Sequence, residues 1–185
     1  MKIIALDGYA ANPGDLSWDE LKSLGECTIY ERTAPTEVLE RAAGADILLT
    51  NKVVLDAATI ASLPDLKYIG VLATGYNIVD TAAAKERGII VTNIPAYSTE
   101  RVAHTAIMMI LNLSSAMQVQ MKMLACGNHD NFTRNLQVPH VEVNGKTLGV
   151  IGAGHIGRKV IQIAQALDMN ILVYTRTPRE DEKGI

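Results

Sequence analysis

Apolar and polar positions alternate in blocks along the first half of the chain. Short apolar runs at residues 2–6, 27–30, 46–50, 66–72 and 89–92 read as strands. Between them lie segments with helix start and stop signals. Ser17 opens the first helix, with Glu20 completing a capping box. The stretch 12–15, Asn-Pro-Gly-Asp, is the turn before it. Thr36 caps a second helix that runs to Ala43 and ends at Gly44. A third covers 56–63 and stops at Pro64, and a fourth covers 80–87 and closes on Gly88. Strand and helix alternating with short connections predict a parallel sheet covered on both faces, an open α/β domain. Tyr30 and Tyr68 read as packing residues.

After an extended joint at 95–98, the pattern changes to a long helix. Ser98 or Thr99 caps it, and it runs to about Cys126 with Gly127 behind. Val102, Ala106, Met109, Ile110, Leu113 and Met117 mark its apolar face. At the usual rise it spans about 40 Å, a spine between two domains. Met108, Met109, Met117, Met121 and Met123 suit a domain or subunit contact, because methionine adapts to irregular surfaces. His104, near the helix start, reads as packed or half-exposed. Residues 127–144 are polar and irregular. There His129 stands beside Asp130, but adjacent residues rarely aim at one point.

The densest signal is residues 145–160. Gly152, Gly154 and Gly157 have the spacing G-x-G-x-x-G, after an apolar strand at 147–151 that is suited to burial. Behind them Ile156, Val160, Ile161, Ile163 and Ala164 recur at helical spacing. Gly152 permits the tight turn, Gly154 the approach of a pyrophosphate, and Gly157 close packing of helix on strand. The free N–H groups of the helix start then face the phosphates. The reading is dinucleotide binding, as against a glycine-rich turn that only packs. A second strand, 168–174, leads to Thr175, Arg176 and Thr177. An NAD site usually carries Asp or Glu there for the ribose hydroxyl. Asp168 lies at the wrong end of the strand, and Arg176 can donate two parallel bonds to a 2′-phosphate. NADP is therefore preferred over NAD. The other reading leaves Arg176 as an ordinary solvated residue, with Glu180 and Asp181 nearby.

Bulk properties narrow the partners. The 185 residues are 48% hydrophobic and 20% charged, with a net charge of −3. That suits a globular protein of one full domain and part of another. Mild acidity without runs of Lys or Arg argues against nucleic acid. Cys27 and Cys126 have no metal-type spacing and read as reduced thiols of a cytoplasmic protein. Asp7 ends the first apolar run too early for a signal peptide. Asn112, Ser114, Ser115, Gln118 and Gln120 interrupt the stretch around 102–121, so no membrane span is expected. No metal site is expected, since no histidines pair at helical ligand spacing.

Four motifs in order, Leu48-Leu-Thr-Asn-Lys52, Val71-Leu-Ala-Thr-Gly-Tyr-Asn-Ile-Val-Asp80, Asn93-Ile-Pro-Ala-Tyr-Ser-Thr99 and 146–157, resemble the D-isomer-specific 2-hydroxyacid dehydrogenases, most nearly the glycerate dehydrogenase and hydroxypyruvate reductase branch. The resemblance covers nearly the whole chain. It implies a flavodoxin-like substrate domain at 1–97, then the linking helix and the first part of a Rossmann nucleotide domain at 98–185. It implies a cleft between the two, a homodimer, and reversible hydride transfer between NAD(P)H and a small 2-oxo acid such as hydroxypyruvate or glyoxylate.

Position by position, Ala73, Thr74 and Gly75 match the loop whose backbone N–H groups hold the acid's carboxylate. Lys52 matches a cleft position that adds positive charge, although it also reads as a surface lysine. Thr99 matches a hydroxyl near the cofactor. His155 and Ile156 match the pyrophosphate turn, and Thr175, Arg176 and Thr177 the ribose site. The family's Arg, Glu and His proton relay has no counterpart here. Those residues are expected downstream of Ile185, so the chain reads as a fragment that is inactive alone. The competing reading is a non-catalytic module that senses a dinucleotide and controls association.

Overall fold

Five of the apolar runs lie side by side. In the computed structural model, which describes residues 1–176 (without the side chains of Phe132 and Thr133), they form β1 (Lys2–Ala5), β2 (Glu26–Ile29), β3 (Ile47–Thr50), β4 (Tyr68–Val71) and β5 (Ile90–Thr92). Their order is β2-β1-β3-β4-β5, and every pairing is parallel. The helices between them are α1 (Asp19–Ser23), α2 (Val38–Ala42), α3 (Ala57–Ala61) and α4 (Thr81–Glu86). The chain moves outward from β1 to β2, then crosses back to β3 on the other side. The gap above β1 and β3 is thus the point where the strand order reverses.

One face of this sheet is a closed core. Ile4, Leu6, Leu48, Ile69 and Val71 pack against Val38 and Ala42 of α2, Ile60 of α3 and Ala84 of α4. Each such fully buried side chain contributes about 1.5–3 kcal/mol. Asp56 and Asp80 cap α3 and α4 by accepting from the N–H of Thr59 and of Ala82 and Ala83. The opposite face is covered more thinly. Among the described residues of this unit the short α1 lies there, beside a groove of about 740 Å³ whose walls include Ile3, Leu21, Leu24, Ile47, Leu49 and Tyr68.

Two caps differ from expectation. Ser17 Oγ accepts from Asp19 N, but the helix starts one residue later than a capping box would put it, after Trp18. Thr36 does not cap: it sits inside a 3-10 turn at Pro35–Glu37, where Glu37 reaches back to the N–H of Ala34.

The chain divides into two compact units, Met1–Tyr97 and a second beginning at Ser98. The expected single spine is two helices, α5 (Thr99–Ser114) and α6 (Met117–Ala125), bent by 63°. Ala116 at the break takes a left-handed conformation, φ 49°. Ser115 Oγ bonds back to the carbonyl of Leu111 and Gln120 Nε2 to that of Ser115, drawing polar side chains into the helix ladder at the bend. The buried face is also rotated from the predicted one. Ala103 and Ile107 are buried with Ala106 and Ile110 beside them, whereas Val102, Met109, Leu113 and Met117 are exposed.

After α7 (Asp130–Thr133), β6 (Thr147–Ile151), α8 (His155–Ala166) and β7 (Asn170–Tyr174) follow. The two strands are parallel, Ile151 opposite Tyr174. Ala103 and Ile107 of α5 pack with Val160 and Ala164 of α8 over Leu148 and Ile171. The expected burial of β6 is therefore one-sided. Among the described residues nothing covers its outer face, and Ile151 is 89% exposed. Among the described residues no single helix is long and apolar enough to cross a membrane, and the α5–α6 pair passes that test only as a bent pair.

Candidate functional site

In the second unit, the glycine turn has the form its spacing predicts. Gly152 has φ 96°, a left-handed conformation that a side chain resists, and its N–H donates to the carbonyl of Tyr174. A Cβ on Gly157 would fall on the carbonyl oxygen of Gly152, so only glycine lets α8 start this close to the end of β6. At Gly154, the residue before α8, an added Cβ would meet open space. His155 and Ile156 form the exposed first turn of α8, whose leading N–H groups lack helical partners. A strand, a turn with no side-chain bulk and a helix start with free donors fit a bound pyrophosphate.

Thr175 and Arg176 follow the residue that accepts from Gly152, so the fold brings the glycine turn and the ribose candidates together. Thr177 lies outside the described residues. Asp168 sits at the opposite end of β7, in the tight turn after α8, with φ 54°. Thr99 is the first residue of α5, and the next residue, Glu100, pairs with Lys159 of α8 at 2.9 Å. His104 stands exposed, 3.8 Å from the same Glu100. His129 precedes α7, and Asp130 N–H donates to Asn128 Oδ1. No group of three His, Cys, Asp or Glu among the described residues gathers to hold a metal. Burial raises the Cys27 thiol above its ordinary value and so disfavours the thiolate, an effect partly offset by the positive charge of Lys22.

In the first unit, Ala73, Thr74 and Gly75 follow β4 and are stapled to the segment after β5. Ile94 N donates to the carbonyl of Ala73, Thr74 Oγ1 to that of Ile94 at 3.0 Å, and Asn93 Nδ2 to that of Thr74 at 2.7 Å. The N–H groups of Thr74 and Gly75 have no acceptor among the described residues. The loop therefore offers two fixed donors to a small anion. A Cβ at Gly75 would approach Asn77 Oδ1 at 3.3 Å, so that position is crowded rather than left-handed. Asn93 is a positioning residue that the sequence reading passed over, although it opens one of the quoted motifs.

Lys52 follows β3, next in line to this loop. Thr50 pairs with Val71, and Asn51 Nδ2 donates to the carbonyl of Leu72. Lys52 also lines a cavity of about 800 Å³ with Asp7, Tyr9, Arg32, Val38 and Thr59, and residues 73–75 do not line it. This cavity lies at the reversal of strand order, a usual place for ligands in open α/β sheets. Linear reading could not find it, because its walls come from loops distant in sequence.

The family profile described as "D-isomer specific 2-hydroxyacid dehydrogenase, catalytic domain" matches residues 10–177. The chain belongs to this family. It is 42% identical over 179 residues to a hydroxypyruvate reductase of Blautia hydrogenotrophica, covering 94% of this chain and 56% of that protein. With a glycerate dehydrogenase of Methylorubrum extorquens it shares 36% identity, over 82% and 49% of the two chains. The structure of D-lactate dehydrogenase from Aquifex aeolicus, complexed with NAD and lactic acid, matches with a TM-score of 0.79 at 28% identity, covering 99% of this chain and 54% of that one. The chain thus spans about half the length of the family members it matches.

Proposed function

We propose that this chain supplies the acid-binding layer and the phosphate-binding turn of a nicotinamide-dependent D-2-hydroxyacid dehydrogenase of the hydroxypyruvate and glyoxylate reductase type. The observation that carries the reading is the glycine turn, where a Cβ on Gly157 has no room and the start of α8 is left open. Residues 1–97 act as the substrate domain and 98 onward as the start of the nucleotide domain. Gly152, Gly154, His155, Ile156 and Gly157 hold the pyrophosphate. Thr99 stands near the cofactor, and Thr175, Arg176 and Thr177 take the ribose. Two of these three residues carry hydroxyls and one is a cation, which favours NADP over NAD. The bound nicotinamide supplies the hydride. Backbone N–H groups of residues 73–75 grip and orient the acid's carboxylate, with positive charge from Lys52. Holding the keto acid in one pose lowers the entropic part of the barrier.

The test is consumption of reduced nicotinamide by the complete polypeptide on addition of hydroxypyruvate or glyoxylate. Substrate-dependent loss of its absorbance is expected, faster with NADPH than NADH. No loss with either cofactor would remove the reading.

The reduced thiols suit a cytoplasmic protein. Homodimer formation is supported by the exposed Met108, Met109, Leu113, Met117 and Met121 of α5 and α6. The same surface favours the second reading, a dinucleotide-sensing module. That reading requires sedimentation to shift on addition of NADPH without turnover, whereas an enzyme's dimer is indifferent to the cofactor.

A further inference from the structure

Two buried polar residues in the first unit have no part in the chemistry described so far. Asp7, at the end of β1, is 5% exposed, and Asn51, at the end of β3, is 8% exposed. Asp7 Oδ1 accepts from Asn51 N at 2.8 Å and Oδ2 from Lys52 N at 2.5 Å. No cation pairs with this carboxylate among the described residues. Asn51 Nδ2 donates to the carbonyl of Leu72 at 3.0 Å and, more weakly, to that of Ala10 at 3.5 Å. Its Oδ1 is buried without a donor.

We propose that Asp7 and Asn51 form a clamp across the ends of β1, β3 and β4 that sets the backbone of Lys52 and of the 73–75 loop for carboxylate binding. Both are positioning residues, and the inference rests on the acid-binding role given above to residues 73–75. Three features point this way. A buried carboxylate satisfied by backbone N–H groups is an expensive way to join loops, and a hydroxyl or an apolar contact would serve ordinary packing. Its charge also repels an incoming carboxylate, so its contribution is geometric. Finally, the bonds lead to the acid loop in sequence: Asp7 to Asn51, Asn51 to Leu72, Leu72 to Ala73, and Ala73 through Ile94 to Thr74. Such a site needs its donors fixed to within about 0.5 Å, and an unsatisfied amide oxygen is the kind of local flaw that functional sites retain.

The test follows the backbone amides of the 185-residue chain by NMR during titration with hydroxypyruvate. In the native chain the Thr74 and Gly75 signals shift and saturate. Asp7→Asn and Asn51→Ala each weaken the affinity read at these signals about five- to tenfold. Asp7→Asn also speeds hydrogen exchange at Asn51 and Lys52, while signals of 152–157 stay in place. Leu63→Ala, a core truncation in the same unit, serves as the stability control and leaves acid affinity unchanged. Native affinity in both clamp variants, or equal weakening in the control, overturns the clamp. If Asp7→Asn fails to fold, Asn51→Ala decides by the same criterion. If the native chain shows no response at Thr74 and Gly75, the acid-binding assignment fails first, and the clamp's function falls with it.

Discussion

Two parallel β-layers in one chain reach different ends from similar strands. In the five-stranded layer, Ile4, Leu48 and Ile69 vanish into a core closed by three helices. In the two-stranded layer, Leu148, Val150, Ile171 and Val173 turn toward α8, while Ile151, Leu172 and Tyr174 face outward and remain exposed. The strands 47–50 and 147–151 each carry three large aliphatic residues. What separates them is the number of strands alongside and the helices laid across them, since a parallel strand is buried by its neighbours and not by its own composition. The first layer therefore carries its stability within itself. In the second, α5 packs with α8 over β6 and β7, and the glycine turn joins β6 to α8.

Substitutions can sharpen or break that contrast. The largest effect is expected from Ile69→Ala, which empties a closed core and should cost about 3–4 kcal/mol in denaturant unfolding of the first unit. Nearly as large is Gly157→Ala, about 3 kcal/mol in the second unit, because backbone must move to admit the Cβ. Circular dichroism melts should show the second unit loosened and the first untouched. If Gly157→Ala is silent, the glycine turn is not what holds α8 to β6.

Thr175→Asp should shift cofactor preference toward NAD by about tenfold, ~1.4 kcal/mol, read as the ratio of dissociation constants for NADH and NADPH. Asp80→Ala removes the cap of α4 and should cost about 1 kcal/mol, read in the same melts. Ile151→Ala should change stability by less than about 0.5 kcal/mol. A loss as large as that of Ile69→Ala would mean the two layers are equally closed, and the contrast would fail.

Among the described residues, two carboxylates of the first unit are shifted. Asp46 lies below the usual carboxylate range, chiefly through its bond from Lys67 and also that from Lys2 N, and Asp56 does so through Thr59. A depressed folded value means the contribution is present above the ordinary carboxylate value and is lost as pH falls through the depressed one. Lys67 is raised by the same partner, so its share holds below the ordinary lysine value and fades as pH rises through the raised one. Asp56 and Lys67 are exposed and Asp46 is half-buried, so the Asp46–Lys67 pair is screened by solvent and Asp46→Asn should flatten the acid limb of a stability profile only slightly.

Linear sequence determined the alternation of elements, the parallel sheet and the glycine turn. These depend on local pattern: periodicity, caps at Asp56 and Asp80, and a spacing that works only between strand and helix. The break at Ala116 was half visible in the Ser114-Ser115 pair, but a run of helix formers on both sides concealed it. The off-by-one face of α5 has the same origin, because methionines fit either side of a helix until a partner is named. Only tertiary structure could decide which face α8 would cover and that Asp7, Asn51 and Leu72 would meet. Those outcomes depend on residues dozens of positions apart, and the chain has no local signal for which distant groups will neutralise a buried charge.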